Sequence, residues 1–145
     1  MKKNFIIVDL TYLAFAGHEY DLHNDFDLTR IVMSMDRSSG QVIFGPSDYS
    51  PGPGILVLDF HGISRLSVDR TSPAAGGLLR AVSEIGYIHR DDFGDFSGFE
   101  SEDTFTADHA LLLMFEGGGH IAIEATASEA RILSADQIVS ALPQE

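Results

Sequence analysis

The stretch HALLLMFEGGGHIAIEA, His109 to Ala125, sets the architecture of this chain. Two apolar runs, residues 110–115 and 121–125, flank Glu116, Gly117, Gly118, Gly119 and His120. Runs this short, rich in branched side chains and split by glycines, are the two arms of a β-hairpin rather than helices. In the second arm Ile121 and Ile123 point one way and Ala122 and Glu124 the other. The glycine triplet invites a phosphate-loop reading. That loop needs a following helix N-terminus, whereas here a strand follows and Glu116 adds negative charge.

Working outward, the same signature recurs. Residues 55–60 (ILVLDF) and 63–68 (ISRLSV) read as strands around His61-Gly62, with a bulge or bend near Gly62 repairing the phase between Ile63 and Leu66. Residues 28–35 form a strand, 36–40 a turn, and 41–44 a short run that pairs back as a hairpin. Residues 4–15, rich in β-branched and aromatic side chains, read as one first strand, followed by a polar stretch from His18 to Leu28. Three prolines and three glycines in 45–54 exclude helix and central strand there, so this is a surface loop. Residues 128–133 add a further strand. Helical signals are few. Leu78, Leu79, Val82 and Ile85 fall at helical spacing within 73–86, with Ser72 as cap and Pro73 in the first turn; the competing reading is a loop leading into a strand at 85–89. Ser134 and Gln137 fit a capping box for a short helix over 134–142. The fold class expected is α+β: an antiparallel sheet with one or two short helices, the alternative being an all-β sandwich or open barrel.

With 145 residues, 44% of them hydrophobic, the chain suits one β-rich domain over residues 1–145. Nine Lys and Arg against 22 Asp and Glu give a net charge of −13, and the only lysines are Lys2 and Lys3. Nucleic acid and anionic membranes are bound through clustered cations, so both are excluded as partners. The mean field favours a basic protein or a cation instead. No cysteine is present, which removes disulfides, thiolate metal sites and a cysteine nucleophile. Asp9 interrupts the first apolar run too early for a signal peptide, and no run reaches a membrane span. The chain is therefore read as cytoplasmic. No cofactor motif is found.

Three constellations carry candidate chemistry. His23, Asp25 and Asp27 would share one face of a strand and form a metal site, against the plainer reading of a polar turn held by side-chain-to-backbone bonds. Residues 91–103 (DDFGDFSGFESED) hold six acids and no base, at spacings unlike an EF-hand. Asp91, Asp92, Asp95, Glu100, Glu102 and Asp103 would form a docking surface for a basic partner. Phe93, Phe96 and Phe99, three residues apart, then either supply contact area or anchor the loop to its own core. Finally, with no G-x-S-x-G pattern, a hydrolase would need at least two of His23, His61, His109 and His120 to converge with acids such as Asp59 or Asp108.

The segments LHNDFDLTRIV (Leu22 to Val32), ILVLDFHGISRLSV (Ile55 to Val68) and HALLLMFEGGGHIAIEA together resemble small bacterial β-rich proteins of unknown function, including polymorphic-toxin immunity proteins. Asn24 is inserted into the polar start and the usual tryptophan is missing. The resemblance implies a neutralising partner protein and no catalysis. The function expected is thus a non-enzymatic acidic binding protein that docks a basic protein. The alternatives are a small hydrolase or metal-dependent enzyme built on a His/carboxylate cluster, and an assembly subunit. An edge-paired homodimer is one way to protect exposed strands.

Overall fold

The computed structural model describes residues 1–48, 54–70 and 80–134. Twelve strands run through them: β1 (Lys2–Lys3), β2 (Ile6–Val8), β3 (Tyr12–Phe15), β4 (His18–Asp21), β5 (Phe26–Met33), β6 (Ser39–Pro46), β7 (Ile55–His61), β8 (Arg65–Asp69), β9 (Val82–His89), β10 (His109–Phe115), β11 (His120–Glu124) and β12 (Ala127–Leu133). They form a five-stranded sheet in the order β1-β12-β7-β6-β5, a four-stranded sheet β8-β11-β10-β9, and a three-stranded meander β2-β3-β4. All pairings are antiparallel except β1 with β12. The protein is mostly β, and among the described residues no sheet closes into a barrel.

Alternation explains the core. Val42, Phe44, Leu56, Leu58 and Phe60 of the large sheet meet Ile85, Tyr87, Leu111, Leu113, Ile121 and Ile123 of the second sheet, and Phe5, Ile7, Leu13 and Phe15 of the meander join them. The residues between point outward, yet many are buried too. Ile88, Ala110, Leu112 and Ala122 form a second cluster; Ile43, Val57 and Leu133 form a third. Strands covered on both faces read as unbroken apolar runs, as ALLLMF does and as ILVL does before Asp59. The expected hairpin 110–125 is β10 and β11. Its turn uses Gly117 and Gly118 at φ 86° and 98°, a conformation that side-chain-bearing residues adopt only at a cost.

Three expectations are corrected. Residues 4–15 are not one strand but β2 and β3, separated at Asp9 and Leu10 (φ 50° and 62°). The carbonyls of Leu10 and Thr11 accept the amides of Ile85 and Leu22 at 2.7 and 3.0 Å, which holds the turn. The polar stretch 18–28 contains a strand, β4. The two strands expected around Gly62 are β7 and β8, and they belong to different sheets, a partnership the sequence left open. The helical spacing of 73–86 also fails over its described end. Val82 to Gly86 lie in β9, where the register against β10 shifts between Met114 and Phe115. That irregularity returns Val82 to the same face as Ile85, so a bulge imitates the helical period. Residues 73–79 of that proposed helix and its cap at 72 lie outside the described residues, as do 135–142 of the proposed terminal helix and 49–53 of the proline-glycine loop. Among the described residues the only helical turns are three 3₁₀ turns, at Arg90–Asp92, Phe96–Gly98 and Glu102–Thr104.

Candidate functional site

All three turns lie in the connection between β9 and β10, which contains the acidic run. The connection folds back over the outer face of the second sheet. Phe93, Phe96 and Phe99 pack on Ile88, Ala110, Leu112 and Ala122, so the phenylalanines are anchors. The ring of Phe99 sits against Gly86, where an added Cβ would lie 2.6 Å from it. Only glycine permits that approach. Phe96 lies 4.4 Å from the His120 ring, and the Arg65 guanidinium is 4.5 Å from the centre of Phe93. The Asp95 carboxylate accepts the Ser97 amide and hydroxyl at 3.2 and 2.8 Å, fixing the turn that carries Phe96.

The six carboxylates divide. Asp91, Asp92, Asp95 and Asp103 are exposed. Glu100 and Glu102 turn inward. Glu100 and Tyr87 exchange backbone hydrogen bonds at 2.8 and 2.7 Å, which adds this residue to the edge of β9. The Glu100 side chain meets His109 Nε2 at 2.7 Å, and His109 is 4% exposed. The Thr106 amide donates to His109 Nδ1 at 2.9 Å. Nδ1 is therefore the acceptor and Nε2 carries the proton given to Glu100. Both nitrogens are engaged, so this imidazole has no free position for a substrate. The hydrogen bond from His109 holds the Glu100 carboxyl below the usual range.

Glu102 accepts from Lys3 Nζ at 2.8 and 3.0 Å, from the Tyr87 hydroxyl at 2.7 Å and from the Ile7 amide at 2.8 Å. Burial works to raise its pKa; the bonds from Lys3, Tyr87 and Ile7 together outweigh that and leave it lowered. Lys3, 7% exposed, also donates to the Phe5 carbonyl at 2.7 Å and lies 4.5 Å from the centre of Phe105 and 5.3 Å from those of Phe5 and Tyr87. Burial and the Glu102 contact push the Tyr87 hydroxyl well above its ordinary value.

The other candidates are scattered. His23 and Asp25 occupy the turn before β5 and only Asp27 is in the strand, so strand alternation does not align them. That turn is held by Asp21, whose carboxylate accepts the amides of His23 and Asn24 at 3.0 Å. His23 Nδ1 faces the Val82 carbonyl at 2.7 Å and Glu116 at 3.6 Å, while Asp27 faces Arg80 at 3.6 Å. Among the described residues, no three His, Cys, Asp or Glu gather as a metal site would require. His23, His61, His109 and His120 do not converge either. Asp59 binds Arg131 at 2.7 Å rather than His61, and Asp108 faces Arg90 at 3.7 Å. The histidines that do meet are His89 and His109, with ring centres 5.4 Å apart.

Sequence reasoning missed Lys3, Tyr87, Arg65 and Ser67. Ser67 Oγ lies 2.9 Å from His120 Nε2, and Asp69 stands opposite His120 in the strand pair. Burial lowers the His120 pKa, and the Asp69 charge partly offsets it. His120 was among the histidines singled out in the sequence, but nothing there pointed to Lys3, Tyr87, Arg65 or Ser67, because tertiary packing brings each to its partners.

No protein-family model matches the chain, and no curated protein or solved structure matches it. Among the described residues no helix is long and apolar enough to cross a membrane.

Proposed function

We propose that the chain is a non-enzymatic acidic binding protein that docks a basic protein, as immunity proteins dock the toxins they neutralise. The observation that carries this reading is the division within the acidic run. Asp91, Asp92, Asp95 and Asp103 face water on a segment whose inner side is fixed by Phe93, Phe96, Phe99, Glu100 and Glu102. Carboxylates held on a fixed segment lose little freedom on binding, and a net charge of −13 steers cations toward them. Within the six acids, the four aspartates are the contact groups and the two glutamates position them. The test is a pull-down from native lysate at low salt with the wild type and with an Asp91→Asn/Asp92→Asn/Asp103→Asn variant. A basic protein should be retained by the wild type, released by raised salt, and bound roughly tenfold more slowly by the variant. Finding no partner at low salt, or one held equally by both chains, refutes the reading.

A second reading rests on Ser67 and His120. A neutral imidazole 2.9 Å from a hydroxyl can take its proton as the oxygen attacks a carbonyl. Labelling by a fluorophosphonate probe that disappears in Ser67→Ala would favour this hydrolase. An unlabelled wild type removes it.

A further inference from the structure

The sheet edges of this protein are treated unequally. On β2, Glu102 accepts the Ile7 amide and Lys3 donates to the carbonyl of neighbouring Phe5, so side chains cap the edge. On β9, the Ile85 amide bonds to the Leu10 carbonyl and Tyr87 pairs with Glu100, so other segments cover it. On β5, the register shifts between Leu28 and Arg30, a bulge that spoils continuation of the sheet. These are the usual protections against edge-to-edge association.

Among the described residues strand β8 has none of them. It pairs with β11 across all five residues without a register shift. Among the described residues no strand lies on its other side. Its sequence, RLSVD, has no proline, no lysine and no glycine. Leu66 and Val68 are 37% and 46% exposed, two of the four large hydrophobics so exposed among the described residues.

We propose that β8 is a homodimer edge, paired antiparallel with β8 of a second copy about a two-fold axis at Ser67. The charge order of the strand selects this occupant. In that register Arg65 lies opposite Asp69 of the second copy, Leu66 opposite Val68 of the second copy, and Ser67 opposite its own equivalent. The two-fold forms the ion pair twice and the apolar pair twice, and the partners of each pair share one face of the sheet. A slip by two residues loses both ion pairs. A parallel in-register arrangement sets arginine against arginine and aspartate against aspartate. Arg65 is already oriented, because it bonds Glu124 at 2.9 Å and stacks on Phe93, yet 43% of its side chain remains exposed. Two four-stranded sheets become one continuous sheet. With the axis perpendicular to that sheet, both acidic segments face the same side. A five-residue edge buries less than the roughly 1,200 Å² of a stable standard interface. The dimer is therefore reversible, with a Kd of about 1–100 μM.

Sedimentation velocity from about 1 to 300 μM tests this on the full chain. The expected result is a concentration-dependent passage from monomer to dimer, abolished in Val68→Lys with an unchanged circular dichroism spectrum. Asp69→Arg and Arg65→Asp variants should each be monomeric and should associate when mixed, because their pairs then become complementary. Should Val68→Lys fold poorly, the cysteine-free background supplies a second measurement. Opposed strand residues lie about 4.5–5.5 Å apart at Cα, within disulfide reach. Oxidised Ser67→Cys should give a covalent dimer, whereas Ser38→Cys, at an exposed hairpin tip, should not. A monomer at every concentration, a dimer that Val68→Lys leaves intact, or no selective Ser67→Cys cross-link overturns the proposal.

Discussion

Asp91, Asp92 and Asp95 stand in water, while Glu100 and Glu102, a few residues further along the same connection, accept hydrogen bonds from His109, Lys3, Tyr87 and the Ile7 amide. Formal charge does not distinguish the two halves. Their neighbours do. In the first half phenylalanines bear the packing and leave the carboxylates free. In the second half Glu100 and Glu102 bear it themselves, clasping the meander and β9, and only Asp103 stays exposed. An acidic run counted as one surface is thus a surface and its fastening.

The largest effect should come from breaking the fastening. Lys3→Met leaves Glu102 half-buried without its cation and should cost about 3 kcal/mol of unfolding free energy by urea titration. A loss below about 1 kcal/mol would show the pair to be no more than an exposed ion pair. Gly86→Ala attacks the same junction sterically. The new methyl meets the Phe99 ring and the Glu100 carbonyl, both at 2.6 Å, and should cost about 2 kcal/mol while speeding hydrogen exchange at the Tyr87 and Glu100 amides.

Acid provides a third route. Glu100 and Glu102 have lowered pKa values in the folded chain. Their contribution is complete above the unfolded carboxyl value of about 4.3 and is lost as pH falls through the lower folded values. Exchange at Tyr87 and Glu100 should therefore accelerate below about pH 4 ahead of that in β6 and β7. Simultaneous release would mean that the two glutamates fasten nothing locally.

Smaller effects belong to the first half. Phe96→Ala should cost about 1–2 kcal/mol, since the ring is only half-buried. It should also let the His120 pKa rise toward its ordinary value as water reaches the imidazole, an NMR titration being the check. Asp91→Asn with Asp92→Asn should change stability by less than about 0.5 kcal/mol while weakening capture of a basic partner.

The sequence made the strands legible where both faces are buried. Residues 55–60 and 110–115 are too short and too uniformly apolar for anything else. The anchoring role of the phenylalanines was legible as one of two alternatives, from their spacing alone. Strand partners were legible only in the hairpins β5–β6 and β10–β11; β7 and β8 are neighbours in sequence and lie in different sheets. Leu10 hid the first turn, because a leucine at positive φ gives no local signal and is held there by Ile85. The bulge at Val82 disguised a strand as a helix. The fastening was invisible because Lys3, Tyr87 and Glu102 come from distant parts of the chain, and no periodicity links them.

One pairing shows how remote in sequence the partners in this architecture are. Lys2 and Lys3 align parallel with Ala127 and Ser128, and the Asn4 side chain both donates to and accepts from Ala130, a partner 126 positions away. Closing so long a loop wins no contacts until both ends are in place. Chains dominated by such remote pairings reach their native state in about milliseconds to seconds rather than microseconds. The opening residues must therefore wait, unpaired, until almost all of the described chain has been made.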